Sequence, residues 1–103
     1  MPFKNRITDD IRELIKSNIE KGKKIEKIYV NPKYQKEILN DSEFTEIENI
    51  QEQMAVRIAK FHNIIILIDS AIDLDQIGFQ TKDSGEIKIY KRSQKTNKKE
   101  AQK

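Results

Sequence analysis

Apolar positions at helical spacing open the chain. They predict an amphipathic first helix whose core face consists of Ile7, Ile11, Leu14, Ile15 and Ile19. Thr8 has the side chain of an N-cap, and Gly22 follows the last apolar position, where a glycine commonly ends a helix. The alternating segment "IEKIYV" at 25–30 then predicts a strand. The pair Asn31-Pro32 predicts the start of a short second helix, since asparagine caps well and proline suits the first turn.

A third helix is predicted over residues 45–61. Thr45 and Glu48 have the spacing of a capping box, in which each side chain bonds the other residue's backbone N–H. The apolar positions of this helix would be Ile47, Ile50, Met54, Ile58 and Phe61. Past it, "NIIILI" at 63–68 predicts a strand that is buried on both faces, because five consecutive apolar residues leave no polar side.

The C-terminal third of the chain predicts a β-hairpin. The alternating segments "QIGFQ" and "EIKIYK" flank the turn-rich segment "TKDSG". In this interpretation Ile87 and Ile89 are the inward pair, because alternate residues of a strand point to the same face. Glu86 and Lys88 would then face outward together with Tyr90.

These elements predict a single α+β domain over residues 1–91, in the order α-β-α-α-β-β-β. The strands at 25–30 and 63–68 would lie parallel in a small mixed β-sheet, because a right-handed crossover joins such strands. The C-terminal β-hairpin would extend this sheet, and the helices would cover one face. Residues 92–103 are basic and contain no apolar residue larger than Ala101, so they predict a flexible tail.

The composition removes several classes of function. Without cysteine, the chain forms no disulfide, no thiolate metal site and no cysteine nucleophile. No segment reaches the roughly 18 apolar residues of a membrane span, and the N-terminus lacks the apolar core of a signal peptide. We therefore expect an intracellular protein without a cofactor, either cytoplasmic or virion-associated after assembly in the cytoplasm.

Charge is segregated along the chain, although the net charge is only +3. Residues 16–36 have a net charge of +5, residues 37–90 of −7, and the segment from Lys91 onward of +5. Complementary patches of this kind favour self-association or binding of a partner protein. The candidate protein-contact residues, in the acidic helical region predicted over residues 37–52, are Glu43, Glu46, Glu48 and Glu52.

The basic residues provide an alternative, which is nucleic-acid binding. The residues that would contact a phosphate backbone are Lys21, Lys23, Lys24, Lys27, Lys91, Arg92, Lys95, Lys98 and Lys99. Tyr29 and Tyr90 would stack on bases if they shared an outer sheet face with Lys27 and Lys88. The competing interpretation is that these cations solvate the surface and complement the helix dipole.

Three aspartates follow the apolar strand: Asp69, Asp73 and Asp75. Asp75 with Glu86 and Lys88 has the spacing of a PD-(D/E)xK nuclease, in which two acids hold Mg²⁺ and the lysine supports the attacking water. The outward position predicted for Glu86, next to Gly85, speaks against this reading. The favoured interpretation is a solvated loop leaving the sheet, in which Ser70 or Asp73 caps a turn. We therefore predict no metal site, no catalytic residue and no enzymatic activity.

The succession "KKIEKIYVNPKYQKEIL", "FHNIIILIDSAIDLD" and "GEIKIYK", within residues 21–91, resembles small phage and prophage proteins of low-GC bacteria. It is also similar to the strand-helix-strand axial region of HK97-type capsid proteins, where a strand ends in an Asn-Pro helix start and a later apolar strand ends in Asp. The long spine helix and the extended loop of a full capsid protein have no counterpart in the sequence. The resemblance implies a small accessory or structural protein of a phage or mobile element, acting through protein–protein contacts that include self-assembly.

Overall fold

A computed structural model describes residues 3–94 as a six-stranded sheet with two helices. The helices are α1 (Ile7–Glu20) and α2 (Gln35–Leu39), with a 3-10 turn (Pro32–Tyr34) before α2. The strands are β1 (Ile25–Val30), β2 (Phe44–Glu52), β3 (Ala55–Phe61), β4 (Ile64–Asp69), β5 (Gln76–Thr81) and β6 (Lys88–Lys91). Neither helix in this part of the chain combines the length and the apolar character that a membrane crossing requires.

The sheet is mixed and has the strand order β2-β3-β4-β1-β5-β6. β1 and β4 pair in parallel at its centre, with Ile28 opposite Ile66, and all other neighbours are antiparallel. The predicted parallel pairing of strands 25–30 and 63–68 is therefore confirmed, as is the C-terminal hairpin, which β5 and β6 form. The predicted class, a small mixed α+β domain, is also confirmed, but the number and order of its elements differ from the prediction.

The predicted third helix is wrong, because residues 44–61 form the β2–β3 hairpin. β3 pairs along the whole of the central strand β4, so the backbone N–H and C=O groups on this side of β4 have hydrogen-bond partners. If residues 55–61 formed a helix, these groups of β4 would be left without partners. Gln53 adopts a left-handed conformation (φ 55°) in the connecting turn, which no glycine, proline or asparagine marks in the sequence. Ile50 and Met54, from the predicted buried face of the helix, are exposed.

Both helices pack on one face of the sheet, which we call the covered face. The fully buried isoleucines of this layer come from both helices and four strands: Ile7, Ile11, Ile28, Ile38, Ile58, Ile66 and Ile77. Burial of one such side chain contributes roughly 1.5–3 kcal/mol to folding. The covered face therefore supplies most of the apolar stabilisation. The predicted core face of α1 is correct except at Ile19, which is 64% exposed.

The prediction for the ends of α1 is wrong at the N-terminal end and correct at the C-terminal end. Thr8 does not cap the helix; it is buried in the first turn, and the N-cap is Arg6 without a side-chain hydrogen bond. The N–H of Ile7 donates instead to Oε2 of Glu37 on α2, at 3.2 Å. At the C-terminal end, Gly22 has a φ of 76° and its N–H bonds to the last helical turn, as the sequence predicts.

No helix of the described residues covers the other face of the sheet, which we call the open face. Its smaller apolar cluster consists of Tyr29, Ala55, Leu67 and Ile72. Ile89 lies on this face, because it pairs with Gly78, which in turn pairs with Tyr29. Tyr90 instead packs against the covered-face core, where its ring offers more apolar area than an isoleucine. The predicted orientation of Ile87 and Ile89 is therefore wrong, and Tyr29 and Tyr90 do not share a face.

Arg92 belongs to the folded domain, which corrects its prediction as part of a flexible tail. Its side chain is 1% exposed, and its Nε donates to Oδ2 of Asp10 at 2.7 Å. Its other nitrogens donate to the hydroxyl of Tyr34 at 2.6 Å and to the carbonyl of Asn5 at 2.7 Å. This buried cation therefore ties the end of β6 to α1 and to the N-terminal segment. The rest of the predicted tail, residues 95–103, lies outside the described part of the chain.

Candidate protein-contact face

The open face contains a groove of about 520 Å³ between the ends of two hairpins. Lys27 and Tyr29 of β1 and Gln80 of β5 form its floor. The β2–β3 turn at Gln53 and Met54 forms one wall, and the loop that precedes β6 forms the other. The groove is therefore built from segments that lie far apart in the sequence and meet only through the strand order.

An ion network joins one wall of the groove to its floor. Lys27 Nζ donates to Glu52 Oε1 at 2.9 Å, and Arg57 Nε donates to Glu52 Oε2 at 2.7 Å. These hydrogen bonds, first that of Lys27 and then that of Arg57, hold the pKa of the Glu52 carboxyl below its ordinary value. The carboxylate is thus ionised at neutral pH and anchors the end of β2 over β1.

Tyr29 forms the polar centre of the floor. Its hydroxyl donates to Gln80 Oε1 at 3.2 Å, and Gln80 Nε2 donates to the carbonyl of Gly85. Burial raises the pKa of the Tyr29 phenol, so the hydroxyl remains a donor at neutral pH. Gly78 pairs with Tyr29, and a Cβ there would come within 3.2 Å of both Tyr29 Cβ and Ile87 Cγ2. The absence of a side chain at Gly78 therefore leaves room for Tyr29 and Ile87.

Exposed apolar side chains lie in this groove and elsewhere on the open face. Among the described residues, the large apolar side chains that are at least 42% exposed are Ile19, Ile50, Met54, Ile87 and Ile89. Met54, at 80% exposed, and Ile87 line the groove itself. Ile50 and Ile89 lie on the open face through their pairing with Arg57 and Gly78. Only Ile19 lies elsewhere, on α1, so four of the five belong to one side of the molecule.

The four predicted protein-contact glutamates do not lie on a helix. They lie on β2 or directly before it, at one edge of the sheet, because the predicted helix does not form. Glu43 accepts a hydrogen bond from Arg12 Nε at 2.8 Å, and Glu52 belongs to the ion network of the groove. Glu46 and Glu48 are exposed. The prediction of an acidic surface is therefore retained only for the outer part of β2.

The predicted nucleic-acid-binding residues in the described part of the chain are divided between two ends of the sheet. Three exposed lysines lie between α1 and β1: Lys21, Lys23 and Lys24. These lysines lie near the C-terminal end of β5, because the N–H of Lys82 bonds to the carbonyl of Lys24. Lys91 lies at the opposite end of β5, where it pairs with Gln76, the first residue of that strand. Lys27 is held by Glu52, and Arg92 is buried against an aspartate, so the prediction of Arg92 as a phosphate contact is wrong. Three more lie beyond the described residues: Lys95, Lys98 and Lys99.

The three aspartates at and after the end of β4 do not converge on one point. Oδ1 of Asp69 accepts a hydrogen bond from the N–H of Ala71 at 2.9 Å, so Asp69 itself caps the turn that was predicted for Ser70 or Asp73. Within residues 3–94, no group of three or more histidine, aspartate or glutamate side chains is arranged to hold a metal ion.

Asp75 and Glu86 lie at opposite ends of the β5–β6 hairpin. Asp75 directly precedes β5, and the antiparallel register brings Glu86 near Thr81, at the far end of that strand. Six residue steps along a strand separate the two positions by roughly 20 Å. These carboxylates therefore cannot share one Mg²⁺ ion as the nuclease pattern requires.

Comparison with known proteins provides no assignment for this site. The chain matches no protein-family model, no characterised protein and no solved structure. The groove and its rim are therefore interpreted from their own geometry and charge.

Proposed function

We propose that the protein acts through protein–protein contacts made by the open face of its sheet and does not catalyse a reaction. One observation carries this proposal: four of the five large apolar side chains that are at least 42% exposed lie on this side of the molecule. Exposed apolar side chains mark an interaction surface where they lie together, as Met54 and Ile87 do in the groove of this face.

The charges of the groove favour a polypeptide as its occupant. Lys27 and Arg57 are already paired with Glu52, and Asp69 adds a further negative charge. A phosphate backbone requires unpaired cations and would be repelled by Asp69. A protein segment with apolar side chains and low net charge would instead bury the exposed rim and leave the ion network intact. Such a segment is the partner that we propose.

Peptide selection tests the proposal and does not require that the natural partner be identified. A library of random displayed peptides is selected against the full chain, and the site of a selected peptide is mapped by changes in amide NMR shifts. We expect apolar-rich peptides that shift the amides of Tyr29, Gln80 and Met54. The double variant Met54→Ser with Ile87→Thr should weaken binding at least about tenfold, because each buried apolar side chain contributes roughly 1.5–3 kcal/mol.

Ile19→Ser is the matched control, since it removes an apolar side chain of similar exposure from α1. This variant should bind the selected peptide like the wild type. Peptides that bind only at other surfaces, or an equal loss of affinity in the control and the double variant, would contradict the proposal.

Nucleic-acid binding is a second proposal, supported by one contact near the basic segment. The N–H of Lys82 donates to the carbonyl of Lys24 at 2.8 Å, which adds a fourth exposed lysine to the three between α1 and β1. If this cluster binds single-stranded DNA, anisotropy should report an affinity that falls steeply with salt. Replacing Lys21, Lys23, Lys24 and Lys82 with glutamine should abolish it, and replacing Lys16, Lys33 and Lys36 should not. An equal effect of both sets would exclude a site here.

The origin of the protein stays a prediction, because it rests on the sequence resemblance alone. An accessory or structural role in a phage or mobile element, and a location in the cytoplasm or the virion, are consistent with a contact protein. Identification of the bound partner in infected or lysogenic cells would decide this point.

A further inference from the structure

The sheet ends in two edge strands. Within residues 3–94, β2 has only β3 as its strand neighbour and β6 has only β5, while Phe3 and Lys4 pair with Gln94 and Ser93 just past the end of β6. An edge strand presents backbone N–H and C=O groups that pair readily with a strand of another chain. The two edges differ in length, since β2 has nine residues and β6 has four.

The two edges have opposite charge. Glu46 and Glu48 are exposed on β2, whereas Lys88 and Lys91 are exposed on β6. Like charges on neighbouring strands destabilise their pairing, and unlike charges stabilise it. Symmetric pairing of β2 with β2, or of β6 with β6, is therefore disfavoured, and pairing of β6 with β2 is favoured.

The faces of the two edges also match. Lys88 and Glu46 both lie on the covered face, because they pair with Phe79 and Ala59, which belong to its core layer. On the open face, Ile50 of β2 lies four residues past Glu46, whereas Ile89 of β6 lies one residue past Lys88, so these isoleucines do not align in the same register. When the same face of two copies is aligned with Lys88 beside Glu46, unlike charges therefore meet on the covered face.

We propose that copies of this protein associate head to tail, with β6 of one copy added to β2 of the next. β2 and β6 run in the same direction in the sheet, so the added pair is parallel when both copies keep the same face. A head-to-tail contact forms a ring if its rotation closes and a filament if it does not. Because β6 is short, the contact is weak, and association depends on protein concentration and decreases with salt.

This proposal uses the edges of the sheet and does not require a partner in the groove. Its test is sedimentation velocity of the full chain over a wide concentration range, at low and at high salt. We expect the mean mass of the wild type to rise with concentration at low salt and to fall back toward the monomer at high salt.

Charge reversal tests which edges meet. The variant Glu46→Lys with Glu48→Lys makes both edges basic, and Lys88→Glu with Lys91→Glu makes both edges acidic. Each variant alone should remain a monomer. An equimolar mixture of the two should associate again, and so should the chain with all four reversals, in which the signs of the edges are exchanged.

A double reversal on α1, Glu13→Lys with Lys16→Glu, is the control and should associate like the wild type. Circular dichroism checks that each variant is folded. The proposal is overturned if the wild type is a monomer at every concentration, which would mean that the charges only protect the edges from pairing. It is also overturned if the mixture remains monomeric. Neither outcome affects peptide binding at Met54 and Ile87, so failure here is distinguishable from failure of the groove proposal.

Discussion

The two faces of the sheet differ in what they contribute to the molecule. On the covered face, Ile28, Ile66 and Ile77 are fully buried beneath α1 and α2. The open face has a polar groove with an exposed rim, and Glu52 is paired there with Lys27 and Arg57 of other strands. One sheet thus provides a layer that stabilises the fold and a surface that remains accessible to a partner. The following experiments separate these two roles, from the largest expected effect to the smallest.

The buried ion pair beside α1 should give the largest effect. Asp10→Ala leaves the guanidinium of Arg92 buried without its carboxylate, and breaking such a pair costs about 3–5 kcal/mol. Asp9→Ala is the matched control, because Asp9 is the preceding residue and its side chain is 42% exposed. Urea unfolding of both variants measures the difference. Equal losses would contradict a structural role of the buried pair.

Truncation of isoleucine should distinguish the two faces directly. Ile66→Ala creates a cavity in the covered-face core and should lower the free energy of unfolding by about 2–5 kcal/mol. Ile89→Ala removes a side chain that is 49% exposed on the open face, and its effect should stay below about 1 kcal/mol. Urea unfolding measures both, and similar losses would mean that the open face also stabilises the fold.

Gly78→Ala should distort the floor of the groove. The added methyl group would meet Tyr29, Ile72 and Ile87 at 3.2 Å each, so overpacking should cost about 1–3 kcal/mol. Gly85→Ala is the control, because nothing lies within 4 Å of the corresponding position. A thermal melt compares the two variants. A destabilised Gly85→Ala variant with an unchanged Gly78→Ala variant would contradict the described packing.

The ion network should give the smallest effect, and it should depend on pH. The pKa of Glu52 is lower in the folded protein than in the unfolded chain, because Lys27 and Arg57 bond its carboxylate. Its stabilisation is therefore fully present above the unfolded pKa and is lost as the pH falls through the folded pKa. Glu52→Gln should cost at most about 1 kcal/mol at neutral pH and nothing in acid.

Glu48→Gln, at an exposed position of the same strand, is the control for this measurement. Replacing this exposed side chain should change the free energy of unfolding by less than about 0.5 kcal/mol at neutral pH. A Glu52→Gln variant whose difference from the wild type is constant with pH would exclude the network as a source of pH-dependent stability.

The features that were predictable have signals that are local in the sequence. The helical spacing of α1 predicts that helix, and Asn31 caps the next turn as expected, with Oδ1 accepting from Lys33 N at 2.9 Å. The run at 63–68 predicts a central strand, and it lies at the centre of the sheet. Each of these features depends on residues that lie close together in the sequence.

The features that the sequence did not predict depend instead on pairings between distant residues, on both faces of the sheet. Residues 45–61 fit a helical period, and only the pairing of β3 with β4 makes them strands. The orientation of β6 depends on which residue pairs with Ile77, and that residue is Tyr90. Arg92 looks like part of a basic tail until Asp10, 82 residues away, is brought against it. No local pattern in the sequence contains this information.

The most direct test of the central claim measures two quantities on the variant Met54→Ser with Ile87→Thr. We expect its free energy of unfolding to stay within about 1 kcal/mol of the wild type, while its affinity for a selected peptide falls at least about tenfold. An unchanged affinity together with a large loss of stability would contradict the claim, since the rim would then stabilise the fold and bind no partner.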